Sequence, residues 1–568
     1  MAFSALFRRL LDPASRDPLP PGVTTDDLDN CIGPLALAEI EELATSPSYG
    51  RLRETLEAFF QDERADLALR KAAIGVFEAR LRWVSVNSQR APIHDLDGVA
   101  RRRLGLANLG ASRHWSGALL HLGVRLGGLL AAALARMVAR PVWRVRRQSY
   151  PIGIPMAVAR TYYRPMELAL GAIGRLRSDT LLVIDDGTLQ WQHDGINLVT
   201  IAKMPVPVPA FLAGFLGPAI LASARLAAIA FRHRHDPWIR QLCVEAARLL
   251  SDSLPLAVMA LNVAPRYLID VEEAPATHIL RAMVLGKAGT KVVRWPHSAI
   301  DSPGGLCAYL GYDVFLSSGP YQADIYGASW WKGTRRESVG MLRHSQEMTC
   351  DEVVREDFRA VIEGHRQKNG KVCGCFLPSW IPSLAFLYDE PTRQAAALLA
   401  DRPDWMLVIK PKGRKSYLAM VELCKTEALW PKAMEDEGRV VLIDYPADGV
   451  ETCSTGWLMQ MMDIGIGVGS VQYEAVVHGK PVFGYYPWPG SSPLQQKMVE
   501  CGLLHQDKAT FAVAVRGWLD ASSDIPFDWF RDRLDPWADD RSMQRAVDLL
   551  VSENGLRAES FTPDRGVS

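Results

Sequence analysis

The sequence predicts an α/β fold class with two doubly wound, Rossmann-like domains that face a cleft and an α-helical N-terminal extension. The chain has 568 residues, which is more than a single hydrophobic core usually organises. Short apolar runs that end in polar residues alternate with helical stretches over residues 146–345, and the pattern returns over residues 355–520. Residues 1–145 show only helical periodicity, and residues 521–568 are predicted to form a C-terminal helical tail.

The apolar runs locate the strands of the two predicted sheets. The runs of the first domain are residues 180–184, 267–271, 290–294 and 314–317, and those of the second are residues 371–376, 405–409, 440–443, 463–468 and 481–485. A charged stretch, residues 331–355, is predicted to link the domains. Strands separated by helices form parallel sheets, so we expect ligands at the carboxyl edges of both sheets.

Composition and cysteine spacing exclude several classes of function. The chain has 64 basic and 64 acidic residues and a formal net charge of zero, which argues against a nucleic-acid partner held by bulk positive charge. None of the nine cysteines forms a C-x-x-C pair, so the sequence predicts no zinc site and no other metal. Reduced, buried thiols are typical of a cytoplasmic protein.

Residues 462–490 carry the strongest functional signal, because they predict a strand, a tight glycine turn, a short helix and a second strand. Ser470 is predicted to be the N-cap of that helix, where free amides and the helix dipole favour a phosphate. Glu474 follows one turn later and can accept hydrogen bonds from both hydroxyls of a ribose. The alternative is a plain βαβ unit whose glycines serve close packing.

This segment resembles the nucleotide-sugar-binding half of B-type glycosyltransferases. In that family a glycine or serine turn, a helix with an acidic residue and a Gly-Lys-Pro strand recur together, and residues 479–481 supply the last element here. The resemblance implies the GT-B type of the two-domain fold and a donor-binding role for Ser470 and Glu474. It needs no cofactor, since the nucleotide-sugar is itself the donor substrate.

His297 is the predicted catalytic residue, because it directly follows the strand at residues 290–294. Its position resembles the His-Gly element of capsule polysaccharide synthesis proteins and of the glycerophosphotransferases that use CDP-glycerol, with Ser298 in place of the glycine. A neutral histidine there can act as general base on an acceptor hydroxyl or donate a hydrogen bond to a phosphate. The alternatives are a solvated strand end and a base drawn from the pair Glu272–Glu273.

A second strand end resembles the Lys-Pro-His-Pro element of the same families, but Lys412 stands where they have the histidine. A two-histidine mechanism is therefore not expected. Four cations within six residues suit a diphosphate without a metal; they are Lys410, Lys412, Arg414 and Lys415. A solvated basic loop is the competing interpretation. Ser379, after the first strand of the same domain, is predicted either to touch a phosphate or to cap its turn.

The remaining motifs extend the resemblance or are discounted. Residues 535–542 and the helix after them look like the aspartate-rich turn and closing helix of many surface-polysaccharide proteins, which extends the resemblance over roughly residues 265–550. The pair Asp185–Asp186 lacks the D-x-D spacing of a metal-binding motif. Residues 1–145 lie outside the resemblance.

Two segments, residues 116–138 and 211–231, are unusually apolar but are interrupted by arginines, which are costly near a bilayer centre. Each is predicted to be a buried helix or an interfacial one. Arginines at 140, 144, 146 and 147, with Trp143 among them, suit an anionic cytoplasmic leaflet. Because the N-terminus is also a poor secretion signal, the predicted location is cytoplasmic and peripheral on the inner face of the membrane, with ordinary helix packing as the alternative.

The resemblance implies a glycosyltransferase that moves a sugar from a nucleotide-sugar donor to a surface polysaccharide or lipid-linked glycan. Two enzymatic alternatives use the same two-domain plan, namely a polyol-phosphate transferase and a sugar-nucleotide 2-epimerase, and fold alone does not separate them. The third alternative is a non-catalytic scaffold of a polysaccharide assembly complex, which the Lys412 and Ser298 departures support.

Overall fold

A computed structural model describes residues 37, 40–75, 115–185, 196–271, 276–297, 308–325, 331–350, 354–378, 386–446, 452–486, 492–520 and 524–552. Several residues considered above lie outside these ranges, namely Asp186, Ser298, Ser379 and the pair Glu272–Glu273.

The first half of the chain builds a seven-stranded parallel sheet. The strands described in this half of the chain, seven of the sheet and two that pair separately, are β1 (Pro141–Val142), β2 (Gln148–Pro155), β3 (Leu181–Asp185), β4 (Leu198–Thr200), β5 (Val206–Pro207), β6 (Val263–Asp270), β7 (Lys291–Arg294), β8 (Val314–Ser317) and β9 (Arg335–Ser338). β1 pairs with β5 alone, and the other seven are ordered β4-β3-β2-β6-β7-β8-β9, with every described pairing parallel.

The second half builds a six-stranded parallel sheet. Its described strands are β10 (Lys371–Leu377), β11 (Trp405–Pro411), β12 (Val440–Leu442), β13 (Ile464–Ile466), β14 (Val482–Tyr485) and β15 (Leu504–His505). Their order is β12-β11-β10-β13-β14-β15, again with parallel pairing throughout. In both sheets the order reverses once, so both are doubly wound and the predicted fold class is confirmed.

The described helices connect these strands. Those of the first half are α1 (Pro47–Phe60), α2 (Trp115–Ala139), α3 (Met156–Ala172), α4 (Val208–Phe211), α5 (Gly217–Arg232), α6 (Pro237–Asn262), α7 (Thr277–Gly286), α8 (Pro320–Ile325) and α9 (Gln346–Cys350). Those of the second half are α10 (Glu356–Gln367), α11 (Phe386–Ala400), α12 (Arg414–Thr426), α13 (Lys432–Asp436), α14 (Thr455–Met461), α15 (Ser470–Val477), α16 (Pro493–Glu500), α17 (Lys508–Asp520), α18 (Phe527–Leu534) and α19 (Ser542–Val551). Residues 64–75 are also helical, and a 3₁₀ turn spans Leu342–His344.

Each sheet has a hydrophobic core on both faces, because side chains along a buried strand point alternately to opposite sides. On β3, Leu182 and Ile184 pack with α6 and α7, whereas Leu181 and Val183 pack with α3 on the other face. The described helices before residue 140 share the first of these cores. Lys71 anchors them by donating a hydrogen bond of 2.8 Å to the carbonyl of Ala308.

The domain boundaries given above from the sequence stay predictions.

The chain between the sheets differs from the predicted linker. Residues 331–355 include β9, which pairs in parallel with β8 at the edge of the first sheet. The expectation of a plain linker was wrong because Arg335–Ser338 has no apolar side chain to signal a strand. An edge strand tolerates such a sequence, since one side of it is not covered by a neighbour.

The last described helix, α19, returns to the first domain. Met543, Val547 and Leu550 of α19 are buried in the same core as α3 and the first sheet. Asp535, fully buried, accepts a hydrogen bond of 2.8 Å from the amide of Met341. The predicted aspartate-rich turn therefore joins the end of the second domain to the 3₁₀ turn that leaves the first.

Among the described residues, two helical stretches are long and apolar enough, by length and composition, to cross a membrane. They are Leu122–Ala139 and Val208–Arg232, with mean hydropathies of 1.6 and 1.7. Only 22% and 39% of these stretches are buried inside the protein. Both apolar segments are therefore helical, as predicted, and most of each stretch is exposed to solvent.

Candidate functional site

The candidate site lies where the carboxyl edges of the two sheets approach each other. Ligands of doubly wound sheets bind outside the carboxyl ends of the strands, at the point where the strand order reverses. That point lies between β2 and β6 in the first sheet and between β10 and β13 in the second. Six charged or polar side chains near this junction form the cleft cluster, which consists of Tyr162, Arg294, His297, Arg343, Lys412 and Glu474.

His297 is held by a tyrosine from the neighbouring helix. Oη of Tyr162, on α3, lies 2.9 Å from Nδ1 of His297, and the two rings meet edge to face. If Nδ1 carries the proton and donates to the tyrosine, Nε2 is a base. If the tyrosine donates, Nε2–H is a donor for a phosphate. The two tautomers correspond to the two roles predicted for this histidine.

The electrostatic surroundings keep His297 neutral. Burial lowers the pKa of His297 to about 4, and the positive charges of Arg343, Arg294 and Lys412 act in the same direction. The Arg294 guanidinium is held in position, because it is fully buried, donates a hydrogen bond of 2.9 Å to the carbonyl of Leu316 and stacks over Phe315. At neutral pH the site therefore holds an uncharged imidazole in a positive field.

Across the cleft, α15 follows β13 through a glycine turn. Gly469 is the N-cap of α15 with φ of 81°, a conformation that favours glycine. Ser470 is the first residue of the helix, and no side chain caps the helix amides. The predicted N-cap was therefore one residue late, because the sequence favoured the serine hydroxyl over a left-handed glycine. The uncapped turn remains suited to an anion.

Glu474 lies one turn into α15 and is 3% exposed. Its Oε2 lies 3.7 Å from Nη1 of Arg343, while Oε1 is buried with no hydrogen-bond partner. Burial raises the pKa of this carboxyl, and the charges of Arg343 and Lys412 counteract the rise. A buried carboxylate oxygen without a donor is costly, so Glu474 is poised to accept hydrogen bonds from a ligand.

Glu474 and Arg343 share the wall of a cavity of about 320 Å³ between the two domains. Its other lining residues are His344, Gly456, Met459, Gln460, His478 and Lys480. The rings of His344 and His478 approach each other across the domain boundary, with centroids 3.5 Å apart. Both ring nitrogens of His344 are buried without partners. The cavity is thus polar and has unsatisfied hydrogen-bonding groups in its wall.

The four predicted cations of the basic loop occupy different environments. Lys410 is buried, and its Nζ lies 3.3 Å from the hydroxyl of Tyr445. Arg414 is exposed and donates to the main-chain carbonyl of the same tyrosine at 3.1 Å. Lys412 and Lys415 are both exposed, and Lys412 is the one whose charge acts on His297 and Glu474. The structure thus brings Lys412 into the cleft cluster.

Sequence reasoning missed Tyr162, Arg294 and Arg343. Arg294 was visible as a charge inside an apolar strand, which is unusual unless the charge is paired or stacked. Tyr162 and Arg343 carried no comparable signal, because they reach the site from α3 and from the 3₁₀ turn. No group of three or more metal-ligating side chains occurs within the described ranges.

No protein-family model and no curated protein sequence matches the chain. Solved structures are similar to it at low identity. The S. aureus MnaA–UDP co-structure is 12% identical, with a TM-score of 0.43, and the match covers 73% of this chain and 100% of that one. The wall teichoic acid polymerase TagF is 10% identical, with a TM-score of 0.41 and coverage of 75% and 97%.

A third similar structure is the lipopolysaccharide outer core galactosyltransferase WaaB in its apo form. It is 12% identical, with a TM-score of 0.32 and coverage of 72% of this chain and 99% of that one. At these TM-scores the fold class rests on the two parallel sheets themselves, and function rests on the side chains of the cleft.

Proposed function

We propose that this protein is a glycosyltransferase that moves a sugar from a nucleotide-sugar donor to a surface polysaccharide or lipid-linked glycan at the inner face of the cytoplasmic membrane. One observation carries the proposal, namely that one cluster contains both a neutral histidine, His297, and a buried carboxylate, Glu474, that has an unpartnered oxygen. A ribose supplies the hydrogen bonds that Glu474 lacks, and an acceptor hydroxyl supplies the proton that His297 can take.

In the proposed reaction the second domain binds the donor. Glu474 accepts hydrogen bonds from the ribose, and the uncapped turn of α15 receives the diphosphate with help from Lys412. Ser470 lies in this turn, and Lys410, Arg414 and Lys415 support the loop that carries Lys412. Arg343 approaches from the first domain. The leaving nucleoside diphosphate is stabilised by these cations, so the reaction requires no metal.

His297 then acts on the acceptor. As the hydroxyl oxygen bonds to the anomeric carbon, its proton passes to Nε2 of His297 while the bond from that carbon to the diphosphate breaks. In the ligand-free protein His297 is a weak base, because burial and three cations hold its pKa at about 4. A bound diphosphate offsets that positive charge and raises this pKa, which couples the strength of the base to the presence of the donor.

Two measurements test the proposal together. The first is a thermal-shift screen against CMP, CDP, UDP, GDP and their sugar conjugates, since a ligand that binds the folded state raises its apparent stability. The second is sugar transfer by wild type, Glu474→Ala and His297→Ala, with Glu245→Ala, a buried glutamate of α6, as control. We expect a nucleotide-selective shift that Glu474→Ala loses and transfer that both cleft variants lose. Intact transfer in both would falsify the proposal.

The rival functions make different predictions. A 2-epimerase needs a second carboxylate, whereas Glu474 is the one carboxylate among the described residues that line the cavity. A polyol-phosphate transferase would be indicated by transfer from CDP-glycerol but not from sugar conjugates. Nucleotide binding with no turnover, and glycan loss on deletion but not on point mutation, would indicate the scaffold.

A further inference from the structure

The exposed sides of α2 and α5 carry large apolar residues, and we call these two sides together the outer face. The two helices contact each other and both pack on α6. On α2 the residues Leu120, Val124 and Val138 are 69%, 64% and 74% exposed, and on α5 Ile220 and Leu221 are about half exposed. Exposed apolar residues that are contiguous, rather than scattered, mark an interaction surface.

The same region is strongly cationic in a chain with no net charge. Residues 115–155 and 196–235 contain ten arginines and lysines and no aspartate or glutamate. Four of the arginines, at 140, 144, 146 and 147, lie in the segment that follows α2, where all four are exposed. Trp143, between them, is 82% exposed. Charge of one sign is thus collected beside the apolar surface.

This combination selects an anionic bilayer over the other candidate occupants. Arginine and tryptophan beside an apolar helix face match the phosphate level and the acyl boundary of a membrane. A second copy of the chain would bring two cationic faces together, which is unfavourable. An arrangement in which the helices span the membrane would place Arg125 and Arg225 near the bilayer centre. It would also break the packing of both helices against α6.

We infer that the outer face lies flat in the interface of an anionic membrane, with the basic segment 140–147 on lipid phosphates. This inference does not rest on the transfer reaction, since the outer face is formed by α2 and α5 and includes no member of the cleft cluster. It gives the protein a fixed orientation on a lipid surface independently of any donor.

The test is flotation of the purified full chain with vesicles, without nucleotide. One set of vesicles is pure phosphatidylcholine and the other contains about 30% phosphatidylglycerol. We expect binding to the anionic set alone, weakened by salt. Val124→Asp with Val138→Asp should reduce binding at least about tenfold, because each buried valine contributes about 1.5 kcal/mol or more. Arg144→Ser with Arg146→Ser and Arg147→Ser should remove the preference for anionic lipid.

The matched control is Val513→Asp with Arg516→Ser on α17. Val513 is 70% exposed, so the change is similar in exposure and chemistry but lies in the second domain, and binding should not change. Equal loss in the control, or no binding by wild type, overturns the inference. So does a dimer that the α2 substitutions dissociate without any vesicle binding. Glycosyl transfer is measured separately, so failure here would remove the membrane location from the proposed function and leave the proposed reaction untouched.

Discussion

The two sides of the cleft are prepared in different ways. On the first domain, His297 has its partner in Tyr162, and Arg294 is fully enclosed and stacked. On the second domain, Glu474 keeps one oxygen without a partner, and Lys412 is exposed. The first side has its hydrogen bonds in place, whereas the second keeps a buried acceptor that a ligand could satisfy. In the proposed reaction this difference assigns chemistry and donor binding to separate domains, and substitutions on each side should separate the two.

The largest effect is expected from the first side. His297→Ala should lower kcat by about 10² to 10⁴-fold, the usual contribution of a general base, while the affinity for the nucleotide changes little. Initial rates combined with calorimetric titration of the nucleotide separate the two quantities. His505→Ala, which removes a partly buried histidine of the edge strand β15, is the matched control. A parallel loss of affinity in His297→Ala would break the division between the two sides.

The second side should show the opposite pattern. Glu474→Gln should weaken nucleotide binding by about 10- to 100-fold, because hydrogen bonds to a charged acceptor contribute about 1.5 to 3 kcal/mol. The Tm of the free protein should stay equal or rise, since the amide removes a buried charge. Glu245→Gln should leave binding unchanged. A lower Tm together with weaker binding would indicate a structural role for Glu474 instead.

Within the basic loop, two lysines allow a smaller test. Lys412→Ala should weaken binding of a nucleoside diphosphate by no more than about fivefold at low salt, because its charge is exposed. Affinity for the nucleoside should not change. Lys410→Ala should instead lower the Tm, since its buried amine packs over Tyr445. If Lys412→Ala changes the affinity for the diphosphate and for the nucleoside by the same factor, Lys412 does not contact the diphosphate.

The smallest expected effect is on how the Tm of the free protein depends on pH. The pKa of His297 falls from 6.5 in the unfolded chain to about 4 in the folded protein, so the unfolded chain binds the extra proton first as the pH decreases. Stability contributed by the neutral histidine is complete above pH 6.5 and is lost towards pH 4. The pKa of His478 falls in the same way. Tm should drop by a few degrees over this range, and His297→Gln should drop less. An unchanged slope would contradict the burial of His297.

Local patterns were predictable from the sequence, and contacts between distant segments were not. The glycine turn and Glu474 lie within one stretch of chain, so spacing alone placed them together. β2, the strand at the reversal point of the first sheet, was missed because its eight residues include two prolines and a polar start; only Ile152 and Ile154 alternate as a strand should. Arg343 reaches Glu474 from a 3₁₀ turn that begins next to Met341. The amide of Met341 is bound by Asp535, 194 positions further along the chain.

The packing of α19 on the first domain affects how the protein is made. The core beside α3 stays incomplete until Met543, Val547 and Leu550 are added, and these residues are synthesised after every strand of the second sheet. Until α19 docks, the first domain therefore leaves an apolar face open to solvent. A nascent chain that stalls within the second domain would need a chaperone to cover that face.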